Sequence, residues 1–199
     1  SKKNTIFTIL AMIILAAGIV GVYMLVLKRD RKRSENIDKN NMTEVQKLIT
    51  RDLEESYPVT PGELIKYYSK IIKSYYGEVY TDAEFESLVD QMRLLFDEEF
   101  LENNPRIQHV SDLKREIKDY NDAERTIVTY VIQKNSFVTY QTMESREYAI
   151  ILASYSVKEK KPKAGNRKTY QKFMLRKDEG GKWKILGWDV TMPVEFAGE

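Results

Sequence analysis

Apolar positions along this chain change period three times. Thr5–Leu27 (TIFTILAMIILAAGIVGVYMLVL) is a run of 23 residues without a charge. About 20 such residues cross a bilayer as a helix. A cleaved secretory signal has a shorter apolar core and a small-residue cleavage site. Here the run continues past Ala16-Ala17 and ends in Lys28-Arg29-Asp30-Arg31-Lys32-Arg33. The pattern predicts a retained single-span anchor with a basic flank over 1–33. Ser34–Met42 is polar and reads as a linker. Positions 43–192 then form the folded domain, and 193–199 a tail.

The helical period of 3.6 governs the next third. Thr43–Tyr57 carries Val45, Leu48, Ile49, Leu53 and Tyr57 on one stripe, and Pro58 stops it. Thr60-Pro61-Gly62-Glu63 is a helix start, with Thr60 as N-cap, Pro61 at the first helical position and Glu63 completing a capping box. Leu64, Tyr68, Ile71, Ile72 and Tyr75 follow on one face, Ile65, Tyr67 and Tyr76 widen it, and Gly77 is the expected C-cap. Thr81 and Glu84 repeat the capping-box spacing. Phe85, Leu88, Val89, Met92, Leu95 and Phe96 carry that helix on toward Leu101, and Asn103-Asn104-Pro105 ends it. A short helix is expected over Asp112–Tyr120.

The last third reads as strands. Arg125–Phe137 is β-branched and aromatic, and Val138–Met143 continues it past a bend. Glu147–Lys158 is a second long strand, apolar enough at Ile150-Ile151-Leu152 for burial on both faces. Lys168–Val190 reads as a hairpin turning at Asp178-Glu179-Gly180-Gly181. In its second arm alternation puts Trp183 and Ile185 on one face and Leu186 and Trp188 on the other, so this arm is expected inside the sheet or packed under helices. About three helices followed by about four antiparallel strands is an α+β domain with segregated elements.

Charge sharpens the partition. Positions 1–39 hold eight Lys/Arg and three acids, a balance of +5, and positions 40–199 hold 24 against 27, a balance of −3. The basic character therefore sits beside the apolar span, which argues against nucleic-acid binding. There is no cysteine, so disulfides, thiolate metal sites, cysteine nucleophiles and lipidation of a lipoprotein signal are excluded. Orientation draws two opposed arguments. The Lys/Arg excess after the span places the domain in the cytoplasm. The short Lys2-Lys3-Asn4 start before one span is a signal-anchor layout that places it outside, and this is the preferred reading.

The helix starts TPGE and TDAE, the long strands and the terminal GKWKILGW resemble the cone-shaped α+β fold of the nuclear transport factor 2-like superfamily. More narrowly, the pieces YPVTPGELIKYYSKIIK, YTDAEF, REYA and LRKDEGGKWKILGW, over residues 1–190, are similar to a family of single-span membrane proteins from clostridia-type Gram-positive bacteria. The anchored layout also resembles the VirB8 and TcpC components of conjugative secretion systems, in topology only. The resemblance implies a curved antiparallel sheet wrapped around helices. It implies no activity, since fold does not imply function.

Candidate chemistry is sparse. His109 is the only histidine, in a stretch read as a surface loop, with Asp112 as a local partner. In enzymes of the cone fold, acids and tyrosines line the mouth, and Asp189, Glu147 and Tyr148 are the residues that resemblance points to. Burial beside Trp188 would raise such an acid into a useful range. The competing reading is a rim carboxylate paired with lysine, and no spacing selects a catalytic set. The pairs Tyr67-Tyr68 and Tyr75-Tyr76 each put one ring toward the core and leave the other for a partner surface or core edging. Arg31–Arg33 reads as a headgroup anchor, and the 158–168 basic run as a solvated loop. No phosphate-loop, zincin, nucleophile-elbow or EF-hand pattern occurs.

These readings converge on a tethered, non-catalytic protein-interaction or assembly module. Its contacts would be membrane lipid through residues 5–27, a protein partner and a second copy of itself, with no cofactor and no metal. The alternative is a small-ligand-binding or hydrolytic domain. An interaction module predicts a filled cone and an exposed apolar or tyrosine-rich patch. A ligand domain predicts an apolar cavity with converging polar groups.

Overall fold

Helix capping organises the first half of the domain. The computed structural model describes residues 41–160 and 167–193. Chain contacts separate Ser1–Thr43 from Glu44–Glu199, and the account that follows concerns the second unit. The expected span at 5–27, its basic flank, most of the linker, loop positions 161–166 and tail positions 194–199 lie outside the described residues. Among the described residues no helix is long and apolar enough to cross a membrane.

Five α-helices precede five strands in the described residues: α1 Glu44–Ile49, α2 Pro61–Gly77, α3 Asp82–Arg93, α4 Glu98–Asn103, α5 Arg106–Asp122, β1 Arg125–Ile132, β2 Thr139–Met143, β3 Arg146–Glu159, β4 Arg167–Lys177 and β5 Trp183–Thr191. The expected order of helices then strands is present, with one more helix and one more strand than the stretches read from the periodicity. Both capping boxes form. The Thr60 and Thr81 hydroxyls accept from Glu63 N and Glu84 N, each at 3.2 Å, and the glutamates reach back. Each cap satisfies amide donors that have no partner inside the helix. Gly77 is the last helical residue and the extended Glu78 is the cap, so no left-handed glycine ends α2.

Three helix boundaries depart from the apolar period. The 43–57 stripe stops at Ile49 because polar side chains compete for the backbone. Thr50 Oγ1 bonds back to Gln46 O at 2.6 Å, and Asp52 Oδ1 takes the amides of Glu54 and Glu55 at 2.7 and 3.2 Å. The Gln91 amide then donates to both Ile49 O and Arg51 O at 3.1 Å, covering carbonyls the helix leaves open. The 81–101 pattern divides into α3 and α4. Between them Ile185 N donates to Leu95 O at 2.8 Å and Asp97 N to Ile185 O at 2.9 Å, so Leu95–Asp97 extends the sheet. Finally, α5 begins at Arg106, six residues before the expected start, and its N-cap Pro105 supplies no side-chain bond.

The sheet is antiparallel in the order β1-β3-β4-β5, and β2 also pairs with β3. β1 runs along Ala153–Glu159 and β2 along Arg146–Ile150, with a 3-10 turn Asn135–Phe137 between them. Thus the expected continuous strand to Met143 is two strands. The hairpin turn forms as read: Gly181 adopts φ +76°, Asp178 Oδ1 accepts from Lys182 N at 2.8 Å, and Asp178 N donates to Lys182 O at 2.9 Å. A left-handed φ suits glycine, which has no Cβ to clash.

β5 is packed under helices rather than inside the sheet, and its facing corrects the expected alternation. It lies at the sheet edge, touched on its outer side only by the Leu95–Asp97 segment among the described residues. It also holds a bulge. Ile185 pairs with Leu175, but Gly187 pairs with Met174 and Trp188 with Phe173, so Leu186 is the extra residue. A bulge shifts the alternation by one. Trp188 therefore joins Trp183 and Ile185 on the helix-facing side, against the alternation read from sequence. Its ring lies 5.7 Å from Tyr68, 5.3 Å from Phe100 and 6.0 Å from Phe173.

The core is the layer between α2, α3 and this inner face. Leu64, Ile65, Ile71, Leu88, Val89, Leu95, Ile151, Phe173, Leu175 and Ile185 are fully enclosed. Complete burial of such a side chain contributes about 1.5–3 kcal/mol each. Both members of each tyrosine pair belong to this layer. Tyr67, Tyr68, Tyr75 and Tyr76 are all buried, so the tyrosine-rich partner surface is not there. Tyr67 Oη donates to Leu48 O at 2.9 Å and Tyr76 Oη to Glu116 Oε1 at 2.7 Å, whereas the buried Tyr75 hydroxyl has no hydrogen-bond partner among the described residues.

Candidate functional site

The layer is not filled throughout. A cavity of ≈250 Å³ lies between α2, α5 and the inner face of the sheet. Helical spacing builds two of its walls. Tyr68, Ile72 and Tyr76 recur every fourth residue on α2, and His109, Asp112, Glu116 and Tyr120 fall on one face of α5. Strand alternation builds the third, with Tyr155 and Val157 on β3 and Thr169 and Gln171 on β4. Phe100 on α4 and the re-phased Trp188 close one end.

Aromatic rings make most of the lining. Tyr76 packs on Tyr120 at 4.4 Å between centroids, and Tyr68, Phe100 and Trp188 form a second group. Polar atoms converge among them. Tyr76 Oη donates to Glu116 Oε1 at 2.7 Å, and the Tyr155 hydroxyl meets Ser69 Oγ at 2.8 Å. Tyr68 is 3% exposed and lines the cavity between these groups. Burial pushes the phenols of Tyr68, Tyr76 and Tyr155 well above their ordinary value, so all three stay protonated. Among the described residues the only carboxylates, lysines or arginines in the lining are Asp112 and Glu116.

His109 sits in this wall, half-buried on α5, and not in a surface loop. Arg93 Nη1 approaches its Nδ1 at 3.3 Å while donating to Asn104 O at 2.8 Å. A guanidinium only donates, so Nδ1 is the acceptor and the neutral ring carries its proton on Nε2. Burial lowers the His109 pKa, Arg93 lowers it further, and Asp112 opposes both. His109 and Asp112 thus line the same cavity, but the bonds of Asp112 are from Gln108 Nε2 at 2.9 Å and Arg115 Nη2 at 2.7 Å.

The other residues named from the cone-fold resemblance are elsewhere. Asp189 is exposed, opposite Lys172 in the strand register. Glu147 is exposed and takes two bonds from Lys177 Nζ, at 2.7 and 2.8 Å. Tyr148 is half-buried opposite Arg176. None of the three lines the cavity. Among the described residues no group of three His, Asp or Glu is placed to hold a metal ion. The residues that do line the cavity were hidden in the sequence because α5 was read from Asp112. Started at Arg106, the spacing 109, 112, 116, 120 shows a polar and aromatic stripe on one helix face.

A second feature also escaped the sequence. Asp97 is buried and chelated by Arg176, whose Nε reaches Oδ2 at 3.0 Å and whose Nη2 contacts Oδ1. Arg176 Nη1 also meets Glu99 Oε2 at 3.1 Å, and Asp97 Oδ1 caps α4 through Glu99 N at 3.0 Å. This pair pins the α3–α4 corner to β4.

Residues 1–188 match the family model described as Domain of unknown function (DUF6715), and the chain belongs to that family. No curated protein matches it. Among solved structures it is similar to CagV, a VirB8 homolog of the T4SS from Helicobacter pylori, at 10% identity and a TM-score of 0.37, over 64% of this chain and 96% of that one. It is also similar to the intermembrane space region of the chloroplast protein ARC6, at 9% identity and a TM-score of 0.32, over 67% and 98%. Likenesses at these scores carry no argument about this chain.

Proposed function

We propose that this member of the family is a membrane-tethered, non-catalytic binding module that holds a group of its partner in the cavity between α2, α5 and the sheet. The cavity itself is the observation that carries the reading. Ligand sites are concave and mostly apolar, with a few polar groups placed to orient what enters. Rings from five elements and the polar atoms of Tyr68, Gln171, Asp112 and Glu116 meet that description. At ≈250 Å³ the space is below the ~300–1,000 Å³ of drug-sized sites. The occupant is a small ligand or a single side chain offered by a protein. Binding is favoured over catalysis because the lining phenols stay protonated and His109 Nδ1 is engaged by Arg93.

The uncharged run 5–27 supports the tether, which would hold the site at the membrane at high local concentration. The preferred orientation puts the domain outside the cytoplasm. Helices packed on one face of an antiparallel sheet around a hollow support the cone-shaped nuclear transport factor 2-like reading. Fragment screening by methyl NMR on the purified chain tests the proposal. Binders should shift Ile72, Met92 and Leu113, and the filling substitution Thr169→Phe should abolish those shifts. Shifts confined to Ile150, Met174 and Leu186, or none at all, would refute it.

A further inference from the structure

Taking the cavity to be the binding site, we propose that it recognises an organic ammonium ion. Charge is the first argument. Among the described residues the lining holds two carboxylates, Asp112 and Glu116, and no lysine or arginine. His109 is held toward its neutral form, so it does not offset them. An anion entering this space meets two like charges and a cation two counter-charges, with Arg115 on Asp112 and Arg93 on His109 set behind the wall. Asp112 is shared with Gln108 and Arg115, but Glu116 is bonded through Oε1 alone, by Tyr76.

The rings are the second argument. A cation is attracted to the negative face of an aromatic ring, most strongly where water is excluded, and quaternary ammonium groups are bound this way. Tyr76 with Tyr120, and Trp188 with Tyr68 and Phe100, offer five rings around one small space. Elsewhere the domain's cations cover aromatic faces: Arg51 on Tyr67 at 4.5 Å, Lys114 on Phe85 at 5.1 Å, Lys177 on Trp183 at 5.0 Å, and Lys184 on Tyr57 at 4.5 Å. Among the described residues none lies over the cavity rings. Tyr68 adds a polar atom to this wall: its side chain is almost wholly enclosed and it lines the cavity. A phenol oxygen can accept from a primary ammonium or lie against a methylated one.

The ammonium could belong to a free small molecule or to a lysine side chain of a partner protein. Tryptophan emission reads occupancy, because Trp188 lines the cavity and the chain has only one other tryptophan, Trp183. The purified chain is titrated with choline chloride at constant ionic strength, with its uncharged isostere 3,3-dimethylbutan-1-ol, and with Nα-acetyl-lysine methylamide. Saturable binding of a cation is expected, about tenfold tighter than the isostere. Glu116→Gln and Asp112→Asn should each weaken it by about threefold or more, and Trp188→Phe should remove the signal. Tighter binding of choline assigns the free ammonium, and tighter binding of the lysine derivative assigns the partner side chain. Equal affinity for the isostere overturns the cation assignment and leaves the cavity as a binding site. Signal that survives Trp188→Phe, or no saturation by any cation up to about 10 mM, also overturns it. Loss of the cavity reading itself is seen separately, as an absence of fragment shifts at Ile72, Met92 and Leu113.

Discussion

The buried pair Asp97–Arg176 should be a main determinant of stability at the α3–α4 corner. The two side chains are 5% and 12% exposed, so water does little to screen them. Removing one partner of a buried pair costs about 3–5 kcal/mol, because the other charge stays buried without compensation. Two details place Arg176→Met near the lower end. Asp97 would keep its bond from Glu99 N, and the site is close enough to solvent that Glu99 itself is 60% exposed. We expect a loss of about 3 kcal/mol, a large share of the ~5–15 kcal/mol that holds a domain folded. Asp97→Asn keeps the cap but strands Arg176 beside Glu99 alone, and should cost about 2 kcal/mol. The double variant removes both charges, so it should be less destabilised than the two losses added, with a coupling of about 2 kcal/mol. Urea unfolding of the four chains at neutral pH, followed by circular dichroism, measures this cycle. Single losses below about 1 kcal/mol with additive double loss would show that the pair does not pin the corner.

Other expectations follow from single contacts. Because His109 titrates below its ordinary value of 6.5 in the folded chain, the unfolded chain takes up that proton first. Its contribution to stability is full above that pH and declines as pH falls below it, and His109→Gln should flatten this part of the curve; identical curves for both chains would refute the assignment. Thr60→Ala removes the acceptor for Glu63 N and should lower stability by about 1 kcal/mol in thermal or urea unfolding. Gly62→Ala is expected to be nearly neutral. Its new Cβ would meet Asn135 Oδ1 at 2.4 Å, and that exposed side chain can swing away; a loss above about 2 kcal/mol would show that it cannot. Orientation is read by introducing Asn166→Cys into a chain without native cysteine and treating intact cells with a membrane-impermeant maleimide. Labelling before lysis places the domain outside, and labelling only after lysis places it in the cytoplasm.

Sequence alone determined what depends on neighbours along the chain. Thr60 and Thr81, each three residues before a glutamate, started α2 and α3 because a cap is a local exchange of hydrogen bonds. Asp178-Glu179-Gly180-Gly181 turned the hairpin because φ +76° at Gly181 suits a residue without a Cβ. Periods of 3.6 and 2 ordered helices before strands, since each period fixes which residues can share a buried face. Tertiary structure decided the rest. The apolar period ran through Leu94–Asp97 unbroken, yet hydrogen bonds to Ile185 on β5 opened the helix there. Alternation assigned Trp188 to the wrong face because a bulge at Leu186, imposed by pairing with β4, shifted the count. Neither event leaves a local signature, because the partner lies some ninety residues away or on another strand. The tyrosine pairs went the same way: adjacent helical residues point about 100° apart, and a layer with helices on one side and a sheet on the other buried both. The cavity depended on all of these at once, since it takes Trp188 from the bulge, Phe100 from the broken helix and His109 from the lengthened one.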